Sequence, residues 1–269
     1  ARVSGVSELM QQAQDFQEES EAIYALLSPL TDDDYAKPTL FKGWTIDEVL
    51  RHLHVWNIAA DLALSDADAF RAFVGQMAAG IRGGRLPDFE KVYLEGLSGK
   101  SLRDAWITQL RAMTPRFAAA DPKMRVLWVG PDMSVISSIT ARLMETWAHA
   151  QAVYDALGVE RVDADRIGNI VRLGVNTYGW TFKNRKEDPP GPMPRLRLAA
   201  PSGVIWEYGE GEDLIEGNAS EFCQVVTQCR NIGDTSLSVK GPIATRWMAI
   251  AQCFAGPPQD PPPPGARHR

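Results

Sequence analysis

Apolar positions recur at helical spacing through the first 158 residues. Between Ser7 and Leu27 they fall at Leu9, Met10, Ala13, Phe16, Ala22, Ile23 and Leu26, which predicts a helix that Pro29 ends. LTDDDYAKPTLFKGW then reads as a polar connector with aromatic anchors. Thr45 and Glu48 have capping-box spacing, so a second helix is expected through VLRHLHVWNIAADLAL. A looser helical stretch, DADAFRAFVGQMAAGIRGG, closes at Gly83-Gly84. Ser101 is the expected N-cap of the next helix, with Pro115 as a kink. After the loop DPKMRVLWVGPDM, a long helix is expected over 134–157, ended by Gly158. Four long helices with medium connections predict an up-and-down bundle with one longer crossover.

Past Gly158 the pattern changes. Residues 163–185 read as helix and NRKEDPPGPMP as a break. RLRLAAPSGVIWEYGEG alternates as a hairpin, turning at Pro201-Ser202-Gly203. EGNASEFCQVVTQCR predicts a helix capped near Asn218 or Ser220, SLSVKG a short strand, and PIATRWMAIAQCFAG a last helix with Pro242 in its first turn. PPQDPPPPGARHR, which carries His268, is expected to be extended polyproline without a core role. The expected architecture is a mostly α N-terminal four-helix bundle over 1–158, a small α+β domain over 159–256 and the tail 257–269. There are no internal repeats.

Composition narrows the function classes. The apolar share of 45% and charged share of 23% are those of a folded chain with enough material for a core. A net charge of −6 argues against a nucleic-acid partner. No segment approaches the roughly 20 apolar residues of a membrane span, and the polar, amphipathic start does not read as a signal peptide. Cys223, Cys229 and Cys253 are odd in number and lack a CxxC spacing, so buried thiols in a reducing, cytoplasmic setting are expected rather than disulfides.

The chemistry concentrates in the histidines. Apart from His268 they lie in R-H-L-H at 51–54 and E-T-W-A-H at 145–149. Glu145 and His149 are one helical turn apart on one face. Their stripe carries Ser138, Ala141, Arg142, Ala152 and Ala156, whereas Ile136, Ile139, Leu143, Trp147, Val153, Tyr154 and Leu157 make a separate apolar face. Small neighbours leave room for a partner, and a carboxylate placed there needs a cation or a donor. Two ligands from one helix and a histidine from another make a partial first shell for a divalent metal. His52 and His54 point about 200° apart on a helix, so they do not share an ion, and the pattern alone does not choose between them. The plainer reading makes Glu145 and His149 a helix-stabilising pair and the other histidine a satisfied core residue.

GWTIDEVLRHLH and WVGPDMSVISSITARLMETWAHAQAVYDALG resemble the DinB-like metal-binding domain of the mycothiol-dependent maleylpyruvate isomerase family, with its W-T-x-x-x-V-x-x-H-L and E-x-x-x-H segments. The resemblance implies a DinB-like four-helix bundle in which His52, Glu145 and His149 hold a divalent metal, usually zinc, with water completing the shell. EGNASEFCQVVTQCR and the strand and helix that follow resemble the family's sterol-carrier-like C-terminal domain, and the family's active-site arginine would map to Arg230. A surface arginine at a helix C-terminus is the plainer reading of Arg230. Segment 66–100 has no counterpart that can be aligned, and the Trp206/Tyr208 hairpin is this chain's own.

The resemblance implies a metal-dependent isomerase or transferase that uses a low-molecular-weight thiol such as mycothiol. Its thiolate adds to a conjugated double bond, the bond rotates, and the thiol leaves. The small-molecule substrate would be unsaturated or carboxylate-bearing, with Arg142 and Arg230 as its anchors; maleylpyruvate itself is not implied. For Arg142 an intrahelical pair with Glu145 is the alternative. The same ligands would also suit zinc-hydroxide hydration or hydrolysis, or a non-catalytic ligand-binding protein with a structural metal. A monomer or homodimer is expected.

Overall fold

A computed structural model describes residues 9–267. The expected helix start at Ser7 and the tail's His268 lie outside the described residues. The chain divides between Ala150 and Gln151 into two compact units.

The first unit contains α1 (Gln11–Leu27), α2 (Ile46–Ser65), α3 (Ala67–Gly80), α4 (Leu86–Tyr93), α5 (Gly99–Ala119) and the first part of α6 (Val135–Leu157). α1, α2, α5 and α6 are the expected long helices. α1 packs on α5, and α5 on α2. The unaligned segment supplies α3 and α4, both packed against α2. Phe16, Ile23, Leu53, Trp106, Leu110, Phe117, Ile139 and Trp147 are buried in this unit.

Caps place α2 and α5. Thr45 Oγ1 accepts the Glu48 amide at 3.1 Å, and Asp47 and Glu48 lie in the first turn of α2, where the helix dipole favours acids. Ser101 is not the cap of α5, because that helix already begins at Gly99. Its first amides are satisfied from elsewhere: Asp47 Oδ1 accepts from Gly99 N at 2.8 Å and Asp32 Oδ1 from Lys100 N at 2.9 Å. Gly99 has φ +59°, and a Cβ there would collide with the Asp32 carboxylate. α5 continues through Pro115 as one helix. The connector is more ordered than its polarity suggests. Asp32–Ala36 is a 3-10 turn with a Thr31/Asp34 capping box, and Pro38 bridges to Thr45.

In the second unit the predicted 163–185 helix is broken into a 3-10 turn (Asp165–Ile167), α7 (Gly168–Asn176) and α8 (Tyr178–Asn184). The hairpin forms as expected from β1 (Arg195–Ala199) and β2 (Ile205–Tyr208), with Gly203 at φ +91° in the turn. The sequence reading missed β3 (Leu214–Asn218), which runs parallel to β1. β4 (Ser238–Lys240) pairs antiparallel with β3, so the sheet order is β2-β1-β3-β4. The predicted helix from Glu216 therefore starts only at Ala219, as α9 (Ala219–Val226), with Asn218 Oδ1 accepting from Ser220 N at 2.8 Å. α10 (Pro242–Ile250) is shorter than expected, and Asp213 Oδ2 caps it by accepting from Ile243 N and Ala244 N.

The tail also departs from expectation. Gln228 Nε2 donates to Gln259 O, Arg185 to Gln259 O, Asn231 Nδ2 to Pro262 O, and Gly265 N to Asp234. Its prolines are pre-extended, so the segment lies along the unit at little entropic cost. The three cysteines are buried, with Cys229 beyond the end of α9 rather than within it.

Candidate metal centre

α2 presents His52 and α6 presents Glu145 and His149. One ligand atom from each lies within 4.8 Å of the others, the one such group of three or more metal-ligating side chains among the described residues. The imidazoles of His52 and His149 meet edge to face at 4.6 Å, and His149 Nε2 lies 3.0 Å from Glu145 Oε2. Two imidazole nitrogens and one carboxylate oxygen fit a zinc-like ion that keeps a position open. The Glu145 side chain is 27% exposed, the most open of the three. His54 takes no part. It is buried in the core, its Nδ1 has no hydrogen-bond partner among the described residues, and burial lowers its pKa to about 4.

A residue absent from the sequence reading completes the arrangement. Glu90 of α4 is fully buried. Its Oε2 lies 2.7 Å from His52 Nδ1 and accepts from Trp56 Nε1 at 3.0 Å. Glu90 Oε1 has no hydrogen-bond partner among the described residues. Burial raises the Glu90 pKa to about 8 against the opposing Trp56 hydrogen bond. Glu90 sits four residues into an eight-residue helix, in a stretch without a readable ligand spacing, so no sequence signal pointed to it.

Aromatic side chains wall the site. The connector brings Phe41 to 5.1 Å from His149 and Trp44 to 5.4 Å from His52, with Trp44 stacked parallel to His149. Trp56 packs beside His52 and against Phe73 and Trp128. Burial and then the neighbouring His149 charge push His52 well below the ordinary histidine value, so it is neutral at pH 7, as a metal ligand must be. Burial opposes ionisation of Glu145. The His149 hydrogen bond and the charges of His149, Arg142 and His52 outweigh it and hold its pKa at about 2.

Arg142 lies beside the site on α6. It is 4% exposed, and burial lowers its pKa to about 10, opposed by Glu145 and Glu90. Its Nε donates across to Asn57 Oδ1 of α2 at 3.0 Å. Arg142 Nη2 and Asn57 Nδ2 are buried donors with no acceptor among the described residues. Arg230 belongs to the second unit and is buried, not a surface cap. It makes a bidentate pair with Asp155, Nη2 to Oδ1 at 2.6 Å and Nη1 to Oδ2 at 2.8 Å. No helix among the described residues is long and apolar enough to cross a membrane.

The family model described as the mycothiol maleylpyruvate isomerase N-terminal domain matches residues 16–154. The uncharacterized proteins MT0041 and Rv0036c of Mycobacterium tuberculosis, from strains CDC 1551 / Oshkosh and ATCC 25618 / H37Rv, are each 36% identical over 247 residues, 91% of this chain and 95% of theirs. The crystal structure of the mycothiol-dependent maleylpyruvate isomerase superposes with a TM-score of 0.54 over 86% of this chain and 94% of that one, at 16% identity. A histidine-to-alanine variant of that enzyme gives 0.50 over 80% and 87%. At this identity the likeness to the solved structures is one of fold.

Proposed function

Because the chain belongs to the mycothiol maleylpyruvate isomerase family, we propose that it is a divalent-metal-dependent, thiol-cofactor-dependent isomerase or transferase acting on a small unsaturated or carboxylate-bearing substrate. The observation that carries this reading is the convergence of His52, Glu145 and His149 within 4.8 Å inside an aromatic wall. The donor set favours zinc, held by His52, Glu145 and His149, with mycothiol as the thiol suggested by the family. A bound ion of this kind lowers the pKa of a thiol or water that reaches it.

The chain's own residues supply the rest. Neutral His52 and ionised Glu145 need no proton rearrangement before ligation at pH 7. Phe41, Trp44 and Trp56 exclude water and strengthen every charge interaction beside them. Arg142 offers a buried, unused N–H to a substrate carboxylate, which would also relieve the cost of leaving that donor unpaired. Arg230 is the second proposed anchor, with a guanidinium held in place by Asp155.

The test is elemental analysis of the purified protein beside His52→Ala, His54→Ala, Glu145→Ala and His149→Ala. Wild type and His54→Ala should carry about one ion per chain and the other three should lose it; equal content in wild type and His149→Ala overturns the site. Isomerisation of cis-unsaturated diacids should then require added mycothiol. Activity that is metal-dependent but indifferent to thiol would instead make bound water the nucleophile.

A further inference from the structure

We infer that Glu90 is a positioning residue for the centre, fixing His52 with Nδ1–H toward the carboxylate and the bare Nε2 toward Glu145 and His149. The inference rests on the metal reading for its purpose, but its geometry stands on its own. One ligand atom of His52 lies within 4.8 Å of those of Glu145 and His149, so on the metal reading the ring nitrogen that faces them carries no proton. The other nitrogen, Nδ1, is 2.7 Å from Glu90 Oε2. Trp56 Nε1 can only donate, and at 3.0 Å it marks the same oxygen as an acceptor. Two N–H groups directed at one carboxyl oxygen is the arrangement that orients a ligating histidine.

The surroundings make this contact specific. Glu90 has no exposed surface, so its carboxylate is not a solvated accessory. A buried carboxyl is costly unless it is hydrogen-bonded, and Glu90 Oε2 meets His52 and the indole that packs beside His52. It is delivered by α4, a short helix packed against α2, which carries His52. Trp44 and Trp56 pack beside the imidazole at 5.4 and 6.2 Å between ring centroids, and the Glu90 contact decides which nitrogen carries the proton.

The experiment compares wild type, Glu90→Gln, Glu90→Leu and His149→Ala. Zinc affinity is read by competition with a chromophoric chelator, and the His52 tautomer by nitrogen-15 NMR of the metal-free proteins. Glu90→Gln keeps an acceptor of the same shape and should weaken zinc by roughly 10-fold, Glu90→Leu by about 100-fold. Metal-free wild type should show His52 protonated at Nδ1, and Glu90→Leu should move the proton to Nε2 in a large fraction of molecules. If Glu90→Leu does not fold, Glu90→Gln carries the affinity arm and wild type the tautomer arm. Wild-type His52 protonated at Nε2 overturns the inference. So does zinc affinity within twofold of wild type in the Glu90 variants while His149→Ala loses the ion. Unchanged zinc binding by His149→Ala would instead overturn the metal reading, and the tautomer would still decide the role of Glu90.

Discussion

His52 and His54 are separated by one residue and by opposite fates. Helical geometry already sends them to different faces, but which face meets α6 depends on packing that spacing does not encode. The family motif pointed to His52, and the structure supplies the physical reason: His52 has Glu90, Trp44 and His149 around it, whereas His54 is enclosed with an unpartnered nitrogen. That enclosure makes a pH prediction. The folded-state pKa of His54 is about 4 against 6.5 for a free histidine, so the unfolded chain binds the extra proton between these values. Stability should be unaffected by His54 above about pH 6.5 and should fall as the pH drops toward 4. The full loss is about 3 kcal/mol as an order of magnitude. His54→Leu should be neutral or stabilising at pH 7, since it removes a buried unpaired nitrogen, and should flatten the slope of unfolding free energy against pH. Denaturant titrations at pH 7 and pH 4.5 decide this; parallel losses in wild type and variant would contradict it.

At the scale of elements, α5 shows how a helix can be started by residues far away in sequence. Its first amides are met by Asp47 from the first turn of α2 and by Asp32 from the 3-10 turn. Asp47→Ala and Asp32→Ala should each cost ~1 kcal/mol, as loss of an N-cap does. Ser101→Ala should stay within about 0.5 kcal/mol, because Ser101 is an exposed residue inside the helix. Chemical denaturation of the three variants separates the two sets; a larger loss for Ser101→Ala would restore the local cap. The long helices were legible because each carries a sustained 3.6-residue pattern and a recognisable stop. α4 was not, since eight residues give barely two turns of period. β3 escaped for another reason. Asp-Leu-Ile-Glu-Gly-Asn has two apolar residues, runs directly into the Asn218 cap of α9, and pairs in parallel with a strand 15 or more residues away, where no turn signal can announce it.

At the scale of the whole molecule, composition correctly indicated a chain able to build its core without disulfides, and the pattern change near Gly158 indicated a mixed α and β part. Composition misled at the C-terminus, where a run of prolines reads as an excluded tail. Proline lacks an N–H but keeps its carbonyl, and the second unit uses carbonyls of this segment, Pro262 O and Gln259 O, as acceptors. Asn231 donates to Pro262 O, Gln228 to Gln259 O and Arg185 to Gln259 O, while Asp260 pairs with Arg185 at 3.0 Å. Gln228 is held at φ +58°, a strained backbone for a non-glycine residue, and its side chain also donates to Ala251 O at 3.0 Å, tying the end of α9 to the chain beyond α10. Ending the chain after Gly256 removes the tail partners of Gln228, Asn231 and Arg185 together. At roughly 1 kcal/mol per net hydrogen bond, partly offset by the freed tail's entropy, the loss should be on the order of 2 kcal/mol. Gln228→Ala in the full chain should reproduce about half of that loss, because it removes the side-chain ties to Ala251 and Gln259 and leaves the left-handed backbone as strained as before. Hydrogen exchange should show the effect as faster opening of amides in α9 and Ala251–Cys253, with α1 to α5 unchanged. Protection of α9 that survives truncation would mean the prolines lie along the unit without holding it.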